Sequence, residues 1–490
     1  MADLTFDFVS SLTFREKAYF KRFSQTYSNK ENKNYLKIYS FLEKQKAYDE
    51  KALKDFFSDE KFIKYLSSEK HYLLEQLLNS LINFHFGTST YRKLIKWILY
   101  VNLLSEKGFR KKAMKVLKQA KILAYHFEEF TIIFQLIQME EEILFSHGIL
   151  HFTAQLEKLK KEREEITQKI QNLNELRLLK VQARELQFEE MPHISNPEKY
   201  PHVFANPFLK DKKNINSLKA QDLWFYIKST IHYLLREFKE GQLSNRDHLA
   251  FFEKHDYLFS YNHKLPLLSN YLYLSAKVKD EKSFYKALEK LTDLEGKKGI
   301  DSDYLGYIKY ARLFELFYKT ENTKETKALI PVVGEYLENS KDQLGSTEVD
   351  YILILMIRAC IETHQFTKAQ QWLNLWYKTE TLDVSFSIIK LFTMITYYEL
   401  GYLPLLQYEI NSTYKSLKKR KKLHKLERLF IRFFKKFIKD PNIKKNQKSL
   451  FALKNALNEL HKDPNENILF EQFDFLKWCN LKLVEFLPHS

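Results

Sequence analysis

Glycine and proline are scarce in this chain, ten of each in 490 residues. Sheet proteins need turn residues roughly every 8–12 positions, so the scarcity excludes an extended β architecture and predicts long helices joined by short turns. Cysteine is nearly absent. Cys360 and Cys479 are too few for a disulfide framework or a zinc site, and both fall among apolar residues at helical spacing, as buried thiols would. No uncharged apolar run approaches the ~18 residues of a bilayer span. The opening Met1-Ala2-Asp3-Leu4 has no basic stretch ahead of an apolar one. Together these absences predict a cytoplasmic protein in a reducing compartment. Catalytic signatures are missing too: no phosphate-binding glycine loop, no dinucleotide fingerprint, no His-Glu-x-x-His and no Gly-x-Ser-x-Gly. No catalytic residue, cofactor or metal ligand is assigned, and a non-enzymatic role is expected.

What the chain does hold is apolar periodicity. Hydrophobic residues make up 44%, with 30 Tyr and 40 Phe, most at helical spacing and suited to filling the space between packed helices. In the second half a pattern returns: Phe284, Ala287, Leu291, Leu294; then Ala328 and Val332; then Phe366, Ala369, Leu373, Trp376; then a degraded copy at Tyr402 and Leu405. Ala287, Ala328 and Ala369 are 41 residues apart, and a weaker copy at Ala250 precedes them. A period of this length predicts an all-α fold, a tetratricopeptide-like α-solenoid in which each helix hairpin leaves an apolar face for its neighbour to cover.

The chain divides accordingly. Residues 1–88 read as an N-terminal helical cap, with Thr13 and Glu16 in a capping-box pattern and helices near 33–46, 49–57 and 67–86. Three short helices in succession fit a capping bundle or a DNA-reading helix-turn-helix, though no cluster of Arg, Asn or Gln is aimed at base edges. Residues 89–192 hold helix hairpins, the clearest turning at Lys107-Gly108 ahead of Ala113, Leu117 and Ala120, and then one long helix from about 152 to 190. Leu156, Leu159, Ile166, Ile170 and Leu173 keep 3-4 spacing there, while Arg163 and Arg177 interrupt the seam, which favours packing within the chain over a coiled coil. Pro192, Pro197, Pro201 and Pro207 mark a proline-rich linker over 193–215. Residues 216–490 form the repeat array. Its expected first helices lie near 218–238, 266–278, 303–318, 347–363 and 383–399, and would line the concave face. Tyr304, Tyr307, Lys309, Tyr310 and Arg312 are the candidate groove residues, with partial core packing as the plainer alternative.

Charge is concentrated. Residues 415–448 carry 15 Lys or Arg against Glu427 and Asp440, a net +13 of the chain's +17. Lys418, Lys419, Arg420, Lys421 and Lys422 run unbroken, followed by Lys425 and Arg428, and these seven are the candidate anion-binding residues. Phe430, Phe433, Phe434 and Phe437 follow at the spacing of a core-facing stripe. A solvated basic face, a nucleic-acid site, and an acidic-protein or lipid site all remain open.

The stretch Leu12-Thr13-Phe14-Arg15-Glu16-Lys17-Ala18-Tyr19-Phe20-Lys21, with Asn34-Tyr35-Leu36-Lys37 and Gln45-Lys46-Ala47-Tyr48-Asp49-Glu50, resembles an uncharacterised family of cytoplasmic proteins from Bacteroidetes-type bacteria. The resemblance extends through the hairpin at 108–120 and the long helix. It implies a tetratricopeptide-like helical-repeat fold and carries over no catalytic or binding residue. The expected function is a helical-repeat scaffold or adaptor that holds a protein or peptide partner in its concave groove. The alternative is RNA or DNA binding through 415–448. Oligomeric state is not legible.

Overall fold

A computed structural model describes residues 3–27, 34–86, 89–145, 153–189, 194, 196–210, 214–297, 299–379, 386–419, 425–440, 443–463 and 467–485. It contains helices and turns, with no strand among the described residues. Two compact units divide the chain, Met1–Ile170 and Gln171–Ser490, and the division falls inside the long helix.

In the first unit, α1 (Leu4–Ser11), α2 (Phe14–Tyr27), α3 (Asn34–Leu42), α4 (Glu50–Phe56) and α5 (Leu66–His85) enclose a core that includes Val9, Phe20, Ile38, Leu53, Leu73 and Leu77. The capping box forms as the sequence predicts: the Glu16 amide donates to Thr13 Oγ1 (3.3 Å), and the Thr13 amide donates to Glu16 Oε2 (2.8 Å). Next come α6 (Thr90–Glu106), α7 (Arg110–His126) and α8 (Phe130–Phe145). Gly108 turns the α6–α7 hairpin at φ 78°, where a side chain would strain the backbone. Ala113, Leu117 and Ala120 are fully buried in it. The long helix α9 runs Thr153–Glu189, close to the expected span. Its first half is tied within this unit by Arg163 to Glu141 (3.0 Å) and by Glu162 to Lys121 (2.9 Å), so one of the two arginines that interrupt the seam is paired inside the chain.

The second unit opens on the rest of α9 and the proline segment. α10 (Pro201–Phe204) and α11 (Pro207–Lys210) each begin on proline, whose missing amide costs nothing at a first helical position. Trp224 Nε1 donates to the Phe208 carbonyl (2.9 Å) and holds the segment down. Twelve helices follow: α12 (Leu218–Leu234), α13 (Phe238–Lys254), α14 (Tyr261–Lys277), α15 (Glu281–Thr292), α16 (Ser302–Lys319), α17 (Thr323–Ser340), α18 (Ser346–Glu362), α19 (Phe366–Trp376), α20 (Phe386–Glu399), α21 (Leu403–Lys419), α22 (Lys425–Lys439) and α23 (Ile443–Leu460). Each packs on the next. From α14 the even-numbered helices also pack on one another, α14 on α16, α16 on α18, α18 on α20 and α20 on α22. Two short helices, α24 (Asn467–Gln472) and α25 (Phe475–Glu485), complete the unit.

The inward positions of these helices differ from the alanine-based expectation. Ala250 and Ala328 are exposed, as are Val332, Tyr402 and Leu405. The inward positions follow a 3-4-3 spacing on every odd-numbered helix from α13 to α23. They read Gln242, Asn245, Leu249, Phe252; Phe284, Ala287, Leu291, Leu294; Thr326, Leu329, Val333, Tyr336; Phe366, Ala369, Leu373, Trp376; Leu403, Leu406, Ile410, Thr413; and Leu450, Leu453, Leu457, Leu460. Helix phase, rather than residue type, defines the frame. At its second position stand Asn, Ala, Leu, Ala, Leu and Leu. Turns repeat as well. Arg236, Lys279, Glu321, His364 and Gly401, each leading into an odd-numbered helix, all have positive φ, between 55° and 70°. Four of the five are not glycine, so scanning for glycine misses the motif.

Candidate functional site: a buried polar seam, a cleft and a basic face

The even-numbered helices share a seam of buried charge. Glu315 on α16 accepts from the Tyr351 hydroxyl on α18 (2.7 Å) and lies 3.6 Å from Arg358 Nη2. Arg358 in turn covers the Tyr318 ring at 4.1 Å. Arg312 donates from Nε to Ser269 Oγ (3.2 Å), with its guanidinium near the rings of Tyr273 (5.2 Å) and Tyr351 (5.8 Å). Burial alone would raise the Glu315 carboxyl. Arg358, Lys277, the Tyr351 hydroxyl and Arg312 overcome that and hold it down at about 2.

The chain's own segment 467–485 lies across this seam. Glu471 pairs with Arg236 after α12 and with Lys277 on α14 (3.5 Å). The Gln472 carbonyl accepts from Arg358 (3.4 Å), and Phe473 meets Phe392 of α20 edge-on at 5.4 Å. Glu399 at the end of α20 receives both Trp478 Nε1 (2.8 Å) and Lys482 Nζ (2.6 Å). Nothing local in the sequence announces these partners, which lie 79 to 235 residues away.

Beside the segment opens a cleft of about 620 Å³. Phe317, Phe473 and Trp478 contribute to its apolar floor, and Leu481 and Val484 stand exposed at its edge. Three of the left-handed turn residues, Lys279, Glu321 and His364, also line it. Two half-buried ionisable groups face this space. Burial, reinforced by the carboxylates of Glu315 and Asp474, pushes Glu362 up to about 7 against the pull of Arg358 and Lys477. Burial and the charge of Lys277 lower Lys319 to about 8. A concave site whose titrating groups are displaced toward neutrality is the usual place to look for binding.

The Glu362 shift has a measurable consequence. A carboxyl whose folded pKa exceeds its unfolded value binds the extra proton only when folded, so stability falls as pH rises from about 4.5 through 7. Glu362→Gln should leave stability at pH 4.5 unchanged and raise it at pH 8 by about 2 kcal/mol, the full shift being discounted for partial exposure. Urea unfolding of both proteins at the two pH values checks this. Equal stability at pH 8 would refute it.

Of the five expected groove residues Tyr307 is buried, and Tyr304, Lys309, Tyr310 and Arg312 are partly buried. Arg312 sits in the seam. Tyr304 and Tyr307 stack on each other (5.7 Å), Tyr310 tilts on Tyr336 of α17 (5.0 Å), and Lys309 lies 5.7 Å from the Tyr310 ring. Of the expected anion-binding residues, Lys418 and Arg428 are exposed, and Lys425 is exposed but paired with Asp463 (2.7 Å). Lys419 ends α21, and Arg420, Lys421 and Lys422 lie outside the described residues. Phe430, Phe433 and Phe434 are buried, the core stripe that their spacing predicts.

One polar cluster has no counterpart in the sequence reading. Buried Asp222 on α12 takes both His248 Nε2 (2.8 Å) and His263 Nε2 (3.0 Å). Phe225 stacks on the first imidazole, and Phe252 and Phe259 stack on the second. Burial would raise the Asp222 carboxyl, but the two histidines hold it near 2. With both rings clamped and both directed at one carboxylate, this is a structural knot. Among the described residues no group of three His, Cys, Asp or Glu is disposed to hold a metal ion. Cys360 and Cys479 are buried, and burial pushes both thiols up to about 12. No helix of the described residues is long and apolar enough to cross a membrane. Comparison with known protein families, with curated proteins and with solved structures finds no match.

Proposed function

We propose that this chain is a non-enzymatic, tetratricopeptide-like α-solenoid, a scaffold or adaptor that binds a peptide segment of a protein partner in the cleft beside α25. Its setting, from the N-terminal resemblance and the absence of membrane and disulfide signals, is the bacterial cytoplasm. Support for the architecture comes from the six-fold 3-4-3 frame and the stacking of even-numbered helices. The observation that carries the function is the cleft itself, with an apolar floor, a charged rim and uncovered Leu481 and Val484. The seam of first helices is already taken by segment 467–485, so the partner site moves from the middle of that row to its edge. The seam also illustrates what such a row holds: Glu471 among Phe470 and Phe473, gripped by basic side chains.

Peptides selected by display against the purified full chain test this reading. Leu481→Asp and Val484→Asp change only exposed positions, so the fold should stand while affinity for selected peptides falls at least tenfold. Selected peptides that bind both variants as tightly as the parent would place the site elsewhere.

A further inference from the structure

We infer that the outward face of α21 and α22 binds single-stranded nucleic acid, independently of the cleft. On α21, Tyr408, Asn411, Lys415 and Lys418 recur at i, i+3, i+7 and i+10, and all four are exposed. On α22, Arg428, Arg432, Lys435 and Lys439 recur at i, i+4, i+7 and i+11, three exposed and Lys435 half-buried. The two stripes join where Lys435 Nζ lies 5.3 Å from the ring of Tyr414, itself 40% exposed. None of these six cations meets a carboxylate among the described residues, whereas neighbouring Lys425 is neutralised by Asp463. A run of unpaired cations at steps of about 5–6 Å along a helix suits successive backbone phosphates.

Two observations favour a nucleic acid over other polyanions. Tyr408 is 71% exposed on the same face as Lys415, an uncovered ring beside cations, which is the pairing that stacks unpaired bases. The apolar side of α22 is shut in the core, with Phe430 and Phe434 fully buried, so the helix has no face to insert into a lipid surface.

The test is fluorescence anisotropy of a labelled 20-nucleotide oligo(U) with the full chain, across a range of salt. Binding should weaken steeply with salt, log affinity falling by roughly 0.7 per phosphate contact for each decade. Arg428→Gln with Arg432→Gln should flatten that slope by about 1.4. Tyr408→Ala should weaken binding roughly tenfold and leave the slope unchanged. All three positions are exposed, and unchanged thermal unfolding of each variant certifies the fold. Absence of binding at 50 mM salt overturns the inference. So does equal affinity for poly-glutamate with no effect of Tyr408→Ala, because the face would then be an acidic-protein site.

Discussion

Replacing Arg358 by methionine is expected to destabilise the second unit by about 3 kcal/mol at neutral pH. Arg358 is 4% exposed and Glu315 is 7% exposed, so removing the cation leaves a desolvated carboxylate with only Lys277, Tyr351 and Arg312 to support it. The Gln472 carbonyl loses its donor in the same step. Glu315→Gln alone should cost less, because an amide can still accept from the Tyr351 hydroxyl. Adding Glu315→Gln to Arg358→Met should recover a substantial part of the loss, since the carboxylate that Arg358→Met strands is then gone. The pH dependence carries the same signature. Glu315 has a folded pKa of about 2, below its unfolded value of 4.5, so its contribution is present above pH 4.5 and lost as pH falls toward 2. In Arg358→Met that acid limb should move upward in pH. A urea series at pH 3, 5 and 7 on the four proteins of the cycle reads all of this. Additive losses, with no recovery in the double variant, would show that the two groups do not act as a pair.

That seam explains where reading the sequence succeeds and where it stops. Helix ends were legible because they are written locally. Thr13 and Glu16 cap α2, Gly108 turns the first hairpin, and the absence of Gly and Pro across α9 fixes its span. The expected first helices agree with α12, α14, α16, α18 and α20 to within a few residues, the largest difference being α14, which starts at Tyr261 and carries Pro266 inside. The repeat register slipped on α17 because Ala328, one place from the inward residue, imitates Ala287. Counting from the cap corrects it: Ala287 is the seventh residue after Asp280, and Leu329 the seventh after Asn322. The charged residues of the seam were illegible for a different reason. Glu315, Arg358, Glu399 and Lys482 sit at helical positions where a sequence suggests solvated surface. Their burial depends on partners brought by distant helices, and no local spacing encodes that. The basic face was visible in composition alone, whereas the cleft depends on the return of 467–485 and was not visible at all.

Phe475→Ala is expected to cost about 3–5 kcal/mol, the loss typical of a large ring removed from a packed core. Phe475 has no exposed surface and meets Phe430 at 5.1 Å, Phe473 at 5.1 Å and Phe470 at 5.8 Å. Those contacts join α25 to α22, to α24 and to the turn after it, so the cavity opens at the point where the returning segment is anchored. Trp478, one turn along α25, packs on Phe430 and also forms part of the cleft floor, which links the anchor to the proposed binding site. Leu481→Asp on the same helix is the control. It is 42% exposed and should shift stability by less than about 0.5 kcal/mol while still lowering peptide affinity at least tenfold. Urea midpoints for the two variants, measured beside peptide affinity, therefore separate the two roles of α25. Phe475→Ala should lose stability first and binding only as a consequence, and Leu481→Asp should lose binding alone. A loss below about 1 kcal/mol for Phe475→Ala would mean that the segment rests on the seam as a loose flap, and the face beneath it would then be open to a partner.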